Sequence, residues 1–421
     1  MGPDHQTHRK SRLIAASPIY YGWLVLGAGT LGLLMTTPGQ TVGVSVFLDP
    51  MITDLGLSRP EVSLLYMLGT LTGSLALPWV GRWLDRYGPR RAVVAIAALF
   101  AAACVGMGFV QGLVTLGFGF IALRGLGQGA LGLVSVNAIN LWFVQRRGLA
   151  ISISGVGFAL GIGAFPLLIE GLIHHYGWRW AYIALGGLVA ITILPIGALI
   201  YRRQPEQYGL QPDGSDRQAV VASVAEVNLT LAEARRTVTF WLFAAGNILV
   251  AALGTGLVFH HYSIMAAAGI ERAIAALVFV PYGLVTASTN VLSGVLFDRI
   301  SPRFLLSAML GLLGLALLLS VRVSDPEMML LYGVLLGLMQ GINGVLQAGV
   351  YANYFGRTHL GSISGFATTL MVAGTALGPL LFALGQAQFG SYTPLLTAAV
   401  GLPLGLGLIA LGLEVQERHQ A

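Results

Sequence analysis

Twelve apolar runs, each long enough to cross a bilayer, limit what this chain can fold into. They fall at about 20–47, 59–81, 91–110, 113–142, 148–174 and 178–201, then at 238–268, 272–297, 303–321, 327–355, 360–387 and 391–413. A helix needs roughly 20 apolar residues to span the hydrocarbon, and in lipid it satisfies its own backbone hydrogen bonds. A water-facing alternative is excluded by the charge content, 10% of 421 residues against about 25% in a soluble domain. The expected class is an all-α membrane protein of twelve transmembrane helices in two pseudo-symmetric six-helix bundles. The one long polar stretch sets the division: an N-terminal bundle at 1–201, a linker at 202–237 and a C-terminal bundle at 238–421.

The cations give the orientation. With the N-terminus in the cytoplasm, the loops carrying Arg12, Arg82, Arg86, Arg90, Arg91, Arg146, Arg147, Arg202, Arg203, Arg235, Arg236, Arg299 and Arg303 all fall inside, and only Arg59, Arg179, Arg272 and Arg322 fall outside. Lys and Arg gather on the cytoplasmic side, so both termini are expected there, in a bacterial inner membrane. The formal charge of +6 lies in short loops, not on one face, so no nucleic-acid partner is expected. Cys104 is the single cysteine, which excludes a disulfide framework. The first run is too long for a signal-peptide core and reads as a retained span.

The halves echo each other. Gly81-Arg82-Trp83-Leu84-Asp85-Arg86-Tyr87-Gly88-Pro89-Arg90-Arg91 returns in worn form at Gly294-Val295-Leu296-Phe297-Asp298-Arg299-Ile300-Ser301-Pro302-Arg303, a shift of 294 − 81 = 213 residues. Gly148, Pro166 and Gly177 recur as Gly361, Pro379 and Gly390 at the same shift. A constant offset across loops and spans argues for duplication of a whole half, as in transporters built from repeats.

Several polar residues lie inside the spans. Arg124 is deep in the fourth, where a charge costs at least ~2.5 kcal/mol and needs a partner or a water-filled cavity. Glu170 is the one acid this reading places within a span. Either it neutralises Arg124, or Arg124 is free to hold an anion. His260 and His261 lie in the outer third of span seven and could carry a proton; an interfacial histidine belt is the alternative. Gln340, Asn343, Gln347 and Tyr351 fall on one stripe of span ten. Gln128 and Asn137 do so in span four, Gln40 and Thr41 follow a break at Pro38-Gly39 in span one, and Tyr282 and Asn290 lie in span eight. Such residues either line a cavity or make helix–helix hydrogen bonds worth about 0.6 kcal/mol each. There is no phosphate-cradling Gly-Lys-Ser/Thr loop, and the adjacent histidine pairs lack the spacing of a helical metal site. No enzyme, cofactor or metal is expected.

The duplicated hinge motif, Arg124-Gly-Leu-Gly-Gln128-Gly129, the glycine-rich run from Gly155 to Pro166, and Gly177-Trp178-Arg179-Trp180 together resemble the major facilitator superfamily over almost the whole chain. Tyr21-Gly22-Trp23, Val46-Phe47-Leu48-Asp49-Pro50 and Arg146-Arg147-Gly148-Leu149-Ala150 are similar to the bacterial monocarboxylate-porter and oxalate/formate-antiporter groups. The resemblance implies secondary transport by alternating access, with Gly81, Asp85, Arg86, Gly88, Arg90 and Arg91, and more weakly Asp298 and Arg299, latching the outward-open state. Where those groups carry an arginine in span eight, this chain has Asn290. The resulting expectation is a monomer in the lipid bilayer moving a small organic solute, with a monocarboxylate leading and proton coupling or exchange as the drive. Efflux of an amphipathic or aromatic compound, and a non-transporting receptor or assembly factor, are the alternatives.

Overall fold

The computed structural model describes residues 12–15, 17–144, 146–214, 229–297, 299–356 and 359–412. Among these there are helices and no strands. Among the described residues, eleven helical stretches are long and apolar enough to cross a membrane. In chain order they are α1 (Gly22–Leu55), α2 (Arg59–Tyr87), α3 (Pro89–Met107), α4 (Leu113–Trp142), a 52-residue stretch Gly148–Leu199, α7 (Val238–Phe259), α8 (Arg272–Ser293), α9 (Pro302–Ser320), α10 (Pro326–Phe355), α11 (Ser362–Phe389) and α12 (Thr393–Gly412). At ~1.5 Å per residue the 52-residue stretch measures about 78 Å, against a hydrocarbon core of about 30 Å. It turns at Gly177, whose φ of 79° and ψ of 163° are non-helical. The arms on either side are α5 (148–176) and α6 (178–199), so the expected fifth and sixth spans are present but run together.

Local chemistry sets the other ends. Ser58 and Glu61 form a reciprocal capping box that starts α2, satisfying backbone N–H groups that have no intrahelical acceptor. Asp325 accepts from the Met328 N–H at 2.9 Å and starts α10. The hinge motif is mostly helix: Leu77–Tyr87 is helical, and the chain reverses at Gly88, φ 84°. Asp298, in the second copy, lies outside the described residues.

Two boundaries differ from expectation. α1 continues past Phe47 to Leu55, where Gly56 (φ 63°) closes it, so Asp49 and Asp54 lie on a transmembrane helix. The break expected at Pro38-Gly39 is present: helix Gly22–Leu34 and helix Thr41–Leu55 flank a tight turn at Thr37–Gly39. α7 stops at Phe259, His260 is non-helical, and a separate short helix His261–Ala267 follows.

α5 packs along α8, and α2 along α11. The α5–α8 crossing is close because Gly283 faces backbone: a Cβ there would sit 2.5 Å from the Ala159 carbonyl oxygen and 2.9 Å from Gly163 Cα. The end of the molecule that carries the Gly88 turn and residues 202–214 is the hinge face; the opposite end is the far face.

Candidate functional site

A cavity of about 350 Å³ lies between residues of the first and second halves. Its polar wall includes Thr37, Gln40, Thr41 and Gln128 from the first half and Tyr282, Gln340, Asn343 and Gln347 from the second. Seven of the candidates read from sequence therefore meet around one space. Thr41 Oγ1 is 2.7 Å from Tyr66 Oη, Gln40 Nε2 donates to Thr36 Oγ1 at 3.2 Å, and Gln347 Nε2 donates to Asn343 Oδ1 at 3.1 Å. Gln128 Oε1 is buried with no hydrogen-bond partner among the described residues. Thr255 and Thr375 add hydroxyls, and the rest of the wall is apolar, with Phe158, Ile162, Val250, Val258, Met339 and Met371. Among the described residues, no ionisable side chain other than Tyr282 lines the cavity.

Arg124 stands behind this wall. It is 3% exposed and is the second residue of a π-helical stretch, Leu123–Leu131, inside α4. Its Nη1 donates to the Gly39 carbonyl at 2.9 Å, its Nε donates to Thr70 Oγ1 at 2.9 Å, and its guanidinium lies 4.6 Å from the Tyr66 ring centre. The turn at Thr37–Gly39 frees backbone acceptors, and Arg124 takes one of them. Among the described residues its buried Nη2 has no hydrogen-bond partner, and no carboxylate pairs with it. An Arg124–Glu170 pair is therefore not formed.

Glu170 has another partner. Arg272 Nε lies 2.9 Å from both of its carboxylate oxygens. Arg272 also reaches Asp49 Oδ2 at 3.6 Å and donates to the Val46 carbonyl, while Asp49 Oδ1 holds Arg59 Nη2 at 2.8 Å. This four-member cluster sits at the far face and joins α1, α2 and α5 to α8. Glu170 is thus not the lone acid of the spans. Sequence reasoning misses Asp49, Arg59 and Arg272 as a group because it ends α1 at Phe47; the available signal is the apolar pattern continuing through Met51, Ile52 and Leu55 to Gly56.

Three further expectations need correction. His260 and His261 do not line the cavity; they are 0% and 1% exposed and pack against protein. His260 Nε2 is 2.8 Å from the Pro379 carbonyl and its Nδ1 is 3.3 Å from Tyr392 Oη, while His261 Nε2 is 2.9 Å from the Ala275 carbonyl. Asn137 faces a separate pocket of about 260 Å³ at the hinge face, shared with Asp85, Gly88, Pro89 and Arg203. Asn290 lies in the α5–α8–α10 seam, close to Gly155 and Gly344. Gly81, a latch residue by the resemblance, has open space beside it: among the described residues a Cβ there would meet nothing within 4 Å.

The remaining hinge residues are open to solvent. Asp85, Arg86, Arg90, Arg91 and Arg299 are exposed, and Asp85 has no ion pair among the described residues. Gly88 is needed for its positive φ, and Arg203 packs against it while donating to the Arg86 carbonyl at 2.9 Å.

Comparison with known proteins agrees with this architecture. The sequence profile of the Major Facilitator Superfamily matches residues 24–270 and 253–421. The oxalate:formate antiporter of Oxalobacter formigenes is 27% identical over 220 residues, 52% of this chain and 50% of that protein. Human monocarboxylate transporter 6 is 28% identical over 172 residues, 40% of this chain and 33% of that one. The chain thus aligns with half or less of these two relatives' length. The gallate transporter of Pseudomonas putida is 25% identical over 427 residues, 93% of this chain and 91% of that protein. A bacterial homologue of the human lysosomal transporter Spinster, solved in an inward-facing and unoccupied conformation, superposes with a TM-score of 0.68 at 18% identity, covering 94% of this chain and 95% of that one. This chain is a multi-pass membrane protein of the Major Facilitator Superfamily.

Proposed function

We propose that the protein is a secondary transporter of a small organic anion, with monocarboxylates leading, and that the cavity is its solute site. The observation that carries this reading is the unpaired cation. Arg124 brings a full charge into the membrane interior with no carboxylate among the described residues to balance it. Two neutral acceptors and a ring face only partly offset its desolvation. Between Arg124 and the cavity stand Gly39 and its neighbours Gln40 and Thr41, which cannot neutralise it, so the cavity carries a positive potential. An anion there lowers the energy of the whole arrangement, while the amides of Gln40, Gln128, Gln340, Asn343 and Gln347 supply N–H donors. The names of the antiporter and transporter relatives support the same class of solute.

The working parts are then bundles 1–201 and 238–421 joined by the linker 202–237, rocking around the cavity in a bacterial inner membrane, as a monomer with both termini in the cytoplasm. Proton coupling or exchange supplies the drive. The Met339–Met371–Phe158 wall favours a second reading, efflux of amphipathic or aromatic compounds, because methionines adapt to varied apolar shapes.

Uptake of labelled lactate, formate, oxalate and gallate into proteoliposomes, with and without a pH gradient, tests the proposal. Saturable uptake of at least one acid, weakened in Arg124→Ala, is expected. Saturable transport of neutral or cationic amphiphiles alone, with no acid competing, would overturn it in favour of efflux.

A further inference from the structure

The far-face cluster has one member from the second half. Asp54 pairs with Arg179, and Asp49 with Arg59, both within the first half. Among the described ion pairs, Arg272 alone crosses. It reaches Glu170 on α5, and Asp49 and the Val46 carbonyl on α1. Its guanidinium also lies 4.5 Å from the ring centre of Tyr262, in the short helix that follows α7. The halves also meet where Tyr66 of α2, which contacts Thr41 and Arg124, packs on Phe259 of α7 with ring centres 4.5 Å apart. The far face is closed in this conformation, and Arg272 is the charged fastener across it.

The two acids on Arg272 are not equivalent. Asp49 has Arg59 at 2.8 Å as a second cation and lies 3.6 Å from Arg272. Glu170 has Arg272 as its one ion-pair partner among the described residues. Its side chain is 13% exposed, against 29% for Asp49 and Arg272. Glu170 is therefore the acid whose charge depends most on the closed far face, and its loss of charge takes the nearest carboxylate from Arg272, leaving Asp49 at 3.6 Å, the Val46 carbonyl and the Tyr262 ring. Other charged or titratable groups nearby are Asp49 on α1, Arg59 on α2, His174 one turn along α5 and Tyr262 beside α8.

We propose that Glu170 is a proton-binding site that gates the far face: the ionised carboxylate holds Arg272 and keeps the two halves together, and protonation from that side releases Arg272 and lets the face open. The proposal rests on alternating access but not on the identity of the solute, so it can fail or stand independently of the anion reading. It gives proton coupling a position away from the solute cavity. Opening then requires a proton before solute enters from the far side, and closure requires Glu170 to ionise again.

The test uses spin labels at Gln111 and Ser324, exposed far-face positions in the two halves, in the full-length chain with Cys104→Ala. Pulsed EPR reads the far-face distance across pH without added solute. The wild-type background should lengthen as pH falls. Glu170→Gln should be open at all pH values, with an open-to-closed ratio roughly tenfold above the unsubstituted protein at neutral pH, about 1.4 kcal/mol. Arg272→Gln should also be open and pH-insensitive, whereas Asp49→Asn and His174→Asn should keep the pH response. A monodisperse Glu170→Gln protein with unchanged distances and an unchanged pH response would overturn the proposal, as would loss of the response in Asp49→Asn or His174→Asn while Glu170→Gln retains it. If Glu170→Gln proves unstable, Glu170→Asp serves instead: it keeps the charge on a shorter arm and should retain a pH response, and loss of that response would count against the gate.

Discussion

The α5–α8 crossing supplies the sharpest test of how the two halves meet. In Gly283→Ala the new methyl would lie 2.5 Å from the Ala159 carbonyl oxygen, 2.8 Å from Gly163 N and 2.9 Å from Gly163 Cα. Close C···O contacts in proteins begin near 3.3 Å, so about 0.8 Å must be recovered. All three obstacles are backbone of α5, and no side chain can swing away. The helices must separate, and overpacking of this kind costs about 1–3 kcal/mol, a shift of roughly 5- to 150-fold in the population of the present conformation. The internal control is Gly163→Ala: there the methyl meets the Phe279 carbonyl oxygen at 3.3 Å, with nothing nearer, and a few tenths of an ångström of adjustment suffices. With the Gln111–Ser324 labels, Gly283→Ala should redistribute the far-face distances and lower the melting temperature in detergent, while Gly163→Ala should change both little. Equal behaviour of the two variants, or a larger effect of Gly163→Ala, would refute the claim that backbone contact at Gly283 defines the crossing.

Three further outcomes follow from the geometry. His260→Phe should destabilise the protein by about 1 kcal/mol, because it removes the imidazole contacts to the Pro379 carbonyl and to the Tyr392 hydroxyl, which keeps Ser263 Oγ as its other partner; the pH profile of transport should be unchanged, and a shifted profile would return His260 to the coupling machinery. Gln340→Leu and Asn343→Leu each remove an amide from the cavity wall and should raise the KM for a carboxylate about fivefold, one hydrogen bond of about 1 kcal/mol, with far-face distances unaltered. At the hinge face, the Thr230 N–H and hydroxyl both reach Glu233 Oε2 at 2.8 Å and hold its carboxyl below the ordinary value of 4.5. A depressed folded-state value means the contribution is complete above the unfolded value and is lost as pH falls through the folded one. Amide exchange in helix Leu231–Ala234 should therefore quicken on acidification below about pH 4.5, and should lose that dependence in Glu233→Gln.

The span count, the glycine turns and seven cavity residues were legible because lipid imposes strong rules: long apolar runs, and polar stripes that must face protein or water. Gln340, Asn343 and Gln347 were readable for that reason, since their spacing alone puts them on one side of α10. The partners of charged residues were not legible. Arg124 and Glu170 lie on antiparallel neighbours, yet Glu170 is at the far end of α5 and Arg124 is held by α1 and α2 through Gly39 and Thr70. A backbone carbonyl freed by a broken helix leaves no mark at the position of the arginine that takes it. His260 and His261 were misplaced for a related reason: α7 ends at Phe259, and the change of direction at His260 turns both rings into neighbouring helices.

The 213-residue repeat also has a counterpart in backbone geometry. The turn at Thr37–Gly39 in α1 corresponds to residues 250–252 of α7, and there the helix widens into a π-helical stretch, Val250–Gly254. The cavity takes Thr37, Thr41 and Val42 from one copy and Val250, Gly254 and Thr255 from the other, matching positions at the same offset. Irregular backbone at membrane depth is tolerated where it lines a cavity or is buried in protein, and paired discontinuous helices mark solute sites in repeat-built transporters. Pro38-Gly39 announces the first irregularity; Val250-Ala251-Ala252-Leu253-Gly254 contains no proline and announces nothing. The chemistry at these matched places has diverged. The counterpart of Arg124 is Gly337, so the cation serves the first half alone, and Met339 and Met371 belong to the second. On the proposed function, the solute's negative end is drawn toward Gln40 and Thr41 and its apolar part toward the methionines. Replacing Met339 by Gln should then discriminate between acids by their apolar bulk, weakening gallate more than formate, whereas Arg124→Ala should weaken both.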